Sequence, residues 1–442
     1  MDKLKINIPP GFEKEKLYVL DIITEFSGLE FESEITDSDD YRIIFPDGKY
    51  ISIQDYYFFR LTDENNYIDN KNIPVEIKHL NNEYCVNLPV IYGKGEIIEN
   101  ENGISLGIDI FGSIFFMLSR WEEAAVKDKD GHGRFPGEKS LAVRKGFIRR
   151  PVVDEYIGLL KKLITKLDPS ISFKQHEPKI YITCDVDSFE KFLPGKTLKM
   201  FAGHALKRLD PVLFISDLIR YGAKLFGARD PYDQFERIFR ISEKFDTKPV
   251  FFILAAPEGP YNDGWFARLT KDPAVFRELA SRGAEIGLHY GYFSLLNENN
   301  IRGEKYELEK KYGTAIQKGR AHFLQFDVRS SYSILERSGI KEDYTLGYSK
   351  YAGFRCGTGR AFRPWDFNNR KPYDIVEKPL IVMDTTLYGH KRMKRMKIKN
   401  EFEYFTELSR KYKTDITILI HNSSPSSVFN AIEEVNNNFE GK

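Results

Sequence analysis

The sequence predicts an α/β protein, with a mainly parallel sheet covered by helices on both sides and a smaller mixed α/β region before it. Two observations predict it. Beyond residue 178, short and almost wholly apolar runs alternate with amphipathic helical stretches, which is how strands buried on both faces read. Before residue 170, short strand-like runs and helices are mixed without that rhythm. The stretch from Pro169 to Pro178 is polar and bounded by prolines. It marks a boundary, giving expected domains of residues 1–172 and 173–442.

The elements follow in order. Residues 41–45 read as a strand, and Pro46-Asp47-Gly48 as its turn. Residues 111–125 and 153–167 carry apolar faces at helical spacing. Asp168-Pro169-Ser170 ends the second of these. Strands are then expected over 179–187, 249–254, 284–290, 322–326, 380–387 and 416–421. Helices are expected over 232–245, 272–281, 330–338 and 401–412. In such a fold the site lies beyond the C-terminal ends of the strands.

The bulk numbers narrow the class. The chain has 442 residues, of which 41% are apolar and 30% charged, enough for a sizeable core. Its net charge of +1 supplies no global field for nucleic acid, so no nucleic-acid partner is expected. The N-terminus has no apolar h-region, and no run of about 18 apolar residues occurs. The cysteines Cys85, Cys184 and Cys356 are widely spaced and form no CxxC. Reduced thiols and a cytoplasmic location are expected.

Polar residues at the strand ends are the candidates for chemistry. The first such strand ends in Thr183-Cys184-Asp185-Val186-Asp187. Side chains alternate along a strand, so Asp185 and Asp187 face the same side. Two adjacent carboxylates repel each other unless a cation lies between them. One can then ligate the metal while the other is a base for a bound water. His289, before Tyr290 and Gly291, and His322, in Arg320-Ala321-His322-Phe323-Leu324, are further candidate ligands. His421 follows an apolar run and suits a general acid. Arg355 sits among glycines, where its fork suits a catalytic carboxylate. Asp384 ends another strand. Each has a plainer alternative, such as a cap, a buried histidine or a turn with a surface ion pair.

The order of these segments resembles the polysaccharide deacetylases, the NodB-homology group of carbohydrate esterase family 4, over about residues 175–425. The type resembled is that of bacterial surface-polysaccharide biosynthesis. The resemblance implies a distorted β/α barrel preceded by the smaller mixed α/β domain, and a divalent metal, usually zinc. It implies that Asp185 is the catalytic base, that Asp187 and His289 bind metal, and that Arg355 steadies the base. Asp384 resembles the family's fourth-motif Asp, and His421 its general acid. One position departs. Where the family has a second His, four residues after the first, this chain has Phe293. Either His322 substitutes, which its Arg-x-His-Phe-Leu setting favours, or the metal has one protein ligand fewer, or there is no metal. The segments Asp109-Ile110-Phe111-Gly112 and Ser119-Arg120-Trp121-Glu122-Glu123 resemble a domain found before such barrels.

The expected activity is hydrolysis of an N-acyl group, N-acetyl first, on a sugar of a surface-polysaccharide precursor, nucleotide- or lipid-linked. Tyr290, Arg355, Lys391 and Arg392 are expected at the substrate. The last two belong to the basic run from His390 to Lys399, which also suits an anionic membrane surface. The competing readings are a deformylase or an O-acetyl esterase with the same metal site, and a metal-free glycan-binding pseudoenzyme. No G-x-x-x-x-G-K-S/T, G-x-S-x-G or H-E-x-x-H motif occurs.

Overall fold

The computed structural model describes residues 3–64, 67–193, 197–203, 211–259, 261, 266 and 274–435. It contains an eight-stranded sheet ordered Val376–Glu377, Glu342–Asp343, Lys318–Ala321, Glu285–Tyr290, Val250–Leu254, Ile180–Val186, Ile416–Leu419, Leu380–Met383. The four central strands from Lys318–Ala321 to Ile180–Val186 pair in parallel. Val250–Leu254 is Val-Phe-Phe-Ile-Leu and wholly buried, as a strand covered on both faces must be. The two edge strands, Val376–Glu377 and Leu380–Met383, are separated in sequence by Lys378 and Pro379 alone. Three Cα steps reach ~11 Å at most, so the sheet curls until its edges approach. The fold is an α/β, distorted β/α barrel preceded by a mixed α/β region.

That N-terminal region is built on a six-stranded sheet ordered Phe31–Ile35, Leu4–Ile8, Asp40–Ile44, Tyr50–Gln54, Gly103–Ile108, Gly93–Asn100. Leu4–Ile8 runs parallel to Phe31–Ile35 and antiparallel to Asp40–Ile44. The helix Ile110–Leu118 is buried all round. Asp109 caps it by accepting from Gly112 N (2.7 Å), and its other oxygen accepts from Tyr57 N (2.7 Å). Gly112 must be a glycine here, because a Cβ would stand 2.3 Å from that of Tyr57.

By packing, the chain forms two units. One is Met1–Lys179 with Phe323–Val382 and Tyr404–Thr417; the other is Ile180–His322 with Met383–Glu403 and Ile418–Lys442. Every expected site residue except Arg355 lies in the second.

Four expected elements differ most. The strand over 380–387 ends at Met383, and Thr386–His390 is helical. The helix over 111–125 is broken into Ile110–Leu118 and Trp121–Ala125, because Arg120 takes a left-handed conformation (φ 55°). The strand over 322–326 runs instead over Lys318–Ala321. Phe323 and Leu324 both turn left-handed, which ends the ladder. The helix over 401–412 begins earlier, at Arg395. The helix expected over 272–281 spans Ala274–Ser281, and residues 272–273 lie outside the described residues. All three cysteines are free thiols.

Candidate metal centre and its carboxylates

The parallel register decides what meets what. Asp185 pairs with Phe252, Phe252 with Gly287, Leu254 with His289, and His289 with Arg320. Residues paired in register face the same side of a sheet. Asp185, Phe252, Gly287, His289 and Arg320 therefore share the face on which the strand's alternation also puts Asp187. Position 287 has no side chain because the Phe252 ring fills that space, 2.5 Å from where a Cβ would stand.

Asp187, His289 and His322 bring one ligand atom each to within 4.8 Å of one another. Asp187 Oδ1 is 3.4 Å from His289 Nε2 and 3.5 Å from His322 Nε2. That oxygen is buried and has no well-aligned hydrogen bond, only the two imidazole nitrogens at 3.4 and 3.5 Å, although the side chain as a whole is 40% exposed. A buried polar atom normally has a partner. A cation among the three atoms would satisfy it, so the donor set of one carboxylate and two imidazoles fits a divalent ion such as zinc.

The surroundings prepare the imidazoles for that role. His289 Nδ1 is 3.0 Å from the Arg320 carbonyl oxygen and donates to it, which points Nε2 toward Asp187. Burial lowers the His289 pKa, but Asp185 and Asp187 outweigh it and raise it, so a metal would take the place of the Nε2 proton. Burial lowers the pKa of His322 to about 4, with Asp187 opposing and His289 adding to the effect, so its ring is neutral at pH 7. Burial alone would raise Asp187. The His289, His322 and His421 imidazoles outweigh it and hold the carboxyl well below the ordinary range.

Asp185 is almost fully buried and has its own cation. Arg320 Nη1 donates to Asp185 Oδ1 (2.9 Å) and to Thr183 Oγ1 (2.8 Å), and its guanidinium lies over the Phe252 ring at 4.6 Å. Asp185 Oδ2 is 3.7 Å from His289 Nε2. His421 is oriented by Asp384, whose Oδ1 accepts from His421 Nδ1 (2.8 Å) and whose Oδ2 accepts from His421 N (2.7 Å). Ser424 Oγ also donates to Asp384 Oδ2. Burial pushes the His421 pKa down, but Asp384 outweighs it and the pKa stands at about 10. Asn422 fastens the loop beyond Asp187 by donating to the Ser188 and Tyr232 carbonyls (2.9 and 3.1 Å).

Two expected residues are placed elsewhere. Arg355 was expected on the catalytic carboxylate. It spends its fork on Glu123, with Nε to Oε1 at 2.9 Å, and donates Nη1 to Gly347 O (2.8 Å). Arg320 takes the place at Asp185 instead. Tyr290 was expected at the substrate. Neighbouring residues on a strand face opposite sides, so its ring lies buried away from His289, with its hydroxyl 2.0 Å from where a Gly319 Cβ would stand. Lys391 and Arg392 are exposed on the turn between Thr386–His390 and Arg395–Tyr412. Phe293 is 43% exposed and is not among the three candidate ligands. The residue missed was Arg320. Its signal was its position two before His322, on the same side of the chain.

Residues 4–169 match a family of unknown function (DUF7033). No curated protein matches the chain. Among solved structures, Puue allantoinase is similar at 14% identity and a TM-score of 0.39, over 59% of this chain and 83% of that one. A probable polysaccharide deacetylase from Pseudomonas aeruginosa PAO1 is similar at 13% identity and 0.38, over 59% and 84%. The polysaccharide deacetylase Bc1974 from Bacillus cereus is similar at 10% and 0.28, over 58% and 88%. Likeness at this level carries no function.

Proposed function

We propose that the chain is a hydrolase that removes an N-acyl group, N-acetyl first, from a sugar. The observation that carries the reading is the orphaned Asp187 oxygen between two imidazole nitrogens, beside Asp185 and within the charge field of His421. Asp187, His289 and His322 would hold a divalent metal, which when bound polarises an amide carbonyl and acidifies water. Asp185 is the base for the attacking water, and its pairing with Arg320 fixes it in place. His421 has Nδ1 committed to Asp384, which leaves Nε2 to protonate the departing amine. The products are a small carboxylic acid and an amino sugar.

The substrate class is the sugar of a surface-polysaccharide precursor, nucleotide- or lipid-linked, on the cytoplasmic side. Lys391 and Arg392 support it as exposed cations on the loop after the Leu380–Met383 strand, where a phosphate would be met at the barrel mouth. Neutralising both should weaken a phosphorylated substrate and spare a simple N-acetyl sugar; equal effects on the two would remove this part. The central test is acetate release from N-acetyl sugars by protein loaded with one zinc per chain. An Asp187→Ala protein that binds zinc and turns over as the wild type does would refute the reading.

A further inference from the structure

The helix Pro211–Leu225 turns an apolar face to solvent. A surface helix ordinarily turns its apolar stripe to the core and its charges to water. Here Asp217 is 2% exposed and faces inward, while Ile215, Leu218, Ile219 and Leu225 are 55%, 50%, 67% and 68% exposed. Phe226, directly after, is 94% exposed. Their spacing of three, four and seven residues puts them on one face. Single exposed apolar residues are ordinary on a protein surface; a contiguous set of this size marks an interaction site.

The inward side is already well occupied. Asp217 pairs with Lys191, and Lys224 pairs with Asp230 (2.8 Å) and Glu190 (3.1 Å). The Tyr221 ring packs against Phe192 (5.4 Å), and Phe214 against Phe201 (5.7 Å). The helix is therefore docked through a mixed face of ion pairs and aromatic rings, in part onto the segment that directly follows Asp187. Its apolar face is left over. The sequence around it has an excess of cations, with eight Lys or Arg against four Asp or Glu over residues 190–230. Lys191 and Lys224 are paired with carboxylates, whereas Arg220 and Arg229 are exposed near Ile219 and Phe226 in the chain.

We propose that this face is a membrane-docking surface that lies on an anionic lipid bilayer, with its apolar residues at the acyl boundary and its cations among the headgroups. Apolar burial and attraction to anionic lipid reinforce each other in such helices. The contact is peripheral, since no described helix is long and apolar enough to cross a membrane. Docking would bring the barrel mouth to a lipid-borne sugar, and this consequence alone rests on the deacetylase reading.

The test is co-sedimentation of the full chain with phosphatidylcholine vesicles, with and without phosphatidylglycerol. The wild type should sediment with the anionic vesicles and much less with the neutral ones. Replacing Leu218→Ser, Ile219→Ser and Phe226→Ser should weaken sedimentation about tenfold or more, with an unchanged circular dichroism spectrum and melting temperature. Ile219→Glu alone should act in the same direction, should the triple change disturb folding. The proposal is overturned if the wild type ignores both vesicles or if the variants sediment equally well. It is also overturned if sedimentation velocity shows a lipid-free dimer that the variants dissolve, since the face would then belong to a second copy. Turnover of a water-soluble N-acetyl sugar should be the same in wild type and variants. Its absence in both would count against the deacetylase reading and leave the membrane result standing.

Discussion

Two carboxylates in separate units sit among nitrogen donors. Glu123, in the first, accepts from Arg120 Nε and Arg355 Nε on one oxygen (2.9 Å each) and from Arg355 Nη2 on the other. Arg120 also donates to Glu122 (3.0 Å) and to the Met117 carbonyl (2.9 Å), and Glu122 accepts from Ser140 Oγ and Leu141 N. These charges satisfy one another. Asp187, in the second, meets two imidazole nitrogens at 3.4 and 3.5 Å and has a buried oxygen with no well-aligned hydrogen bond. The first cluster is complete as it stands and holds a fold together. The second leaves a buried carboxylate oxygen that an added cation would satisfy, as the proposed function requires.

The sharpest test of the contrast is Asp185→Asn. It keeps the shape and removes the proposed base, so turnover should fall at least about a thousandfold, or about 4 kcal/mol of catalysis, while zinc content stays the same. Metal analysis beside acetate release would show it, and retained turnover would overturn the role of Asp185. In the other cluster, Glu123→Ala takes the carboxylate from buried Arg355 and leaves Arg120 with Glu122 alone. It should cost about 3–5 kcal/mol in denaturant unfolding without touching metal affinity. Glu123 also carries a pH signature. Burial would raise its pKa, but Arg355 and Arg120 lower it to about 2. A depressed acid stabilises the fold above its unfolded pKa, about 4.3. That contribution should disappear as pH falls toward 2, and the Ala variant should lack this limb.

Metal alone should separate the clusters further. Zinc at about a hundred times its Kd should stabilise the wild type by about 2.7 kcal/mol, as read from the melting temperature. His322→Ala should lose most of that gain, and Glu123→Ala should keep it. The smallest effect is expected at Asp384→Asn. In the proposed mechanism the protonated His421 is the active form; burial lowers its pKa, and Asp384 is the largest of the charges that raise it to about 10. Without that charge the basic limb of the pH–rate profile should move toward neutrality. An unmoved limb would assign it to another group.

The parts of the fold and the site differ in how far the sequence revealed them, and the reason is range. Asp185 and Asp187 share a face because side chains alternate along a strand, a fact of two-residue range. The same parity argues against Tyr290, which is next to His289 and so faces the other side. The buried strand Val250–Leu254 and the helix Val152–Leu167 were readable because their apolar period is local. Arg355 and Arg320 were not distinguishable in that way. Both are arginines in polar-looking segments, and the choice between Glu123 and Asp185 spans 232 and 135 positions of chain.

By itself, then, the sequence determined an α/β chain with carboxylates and histidines at its strand ends, because burial and alternation are written into neighbouring residues. Only the tertiary structure decided that Arg320 holds Asp185, that His322 stands opposite Asp187, and that the helix Pro211–Leu225 turns its apolar face outward. Those outcomes depend on strand order and register, which bring together side chains that no local pattern connects.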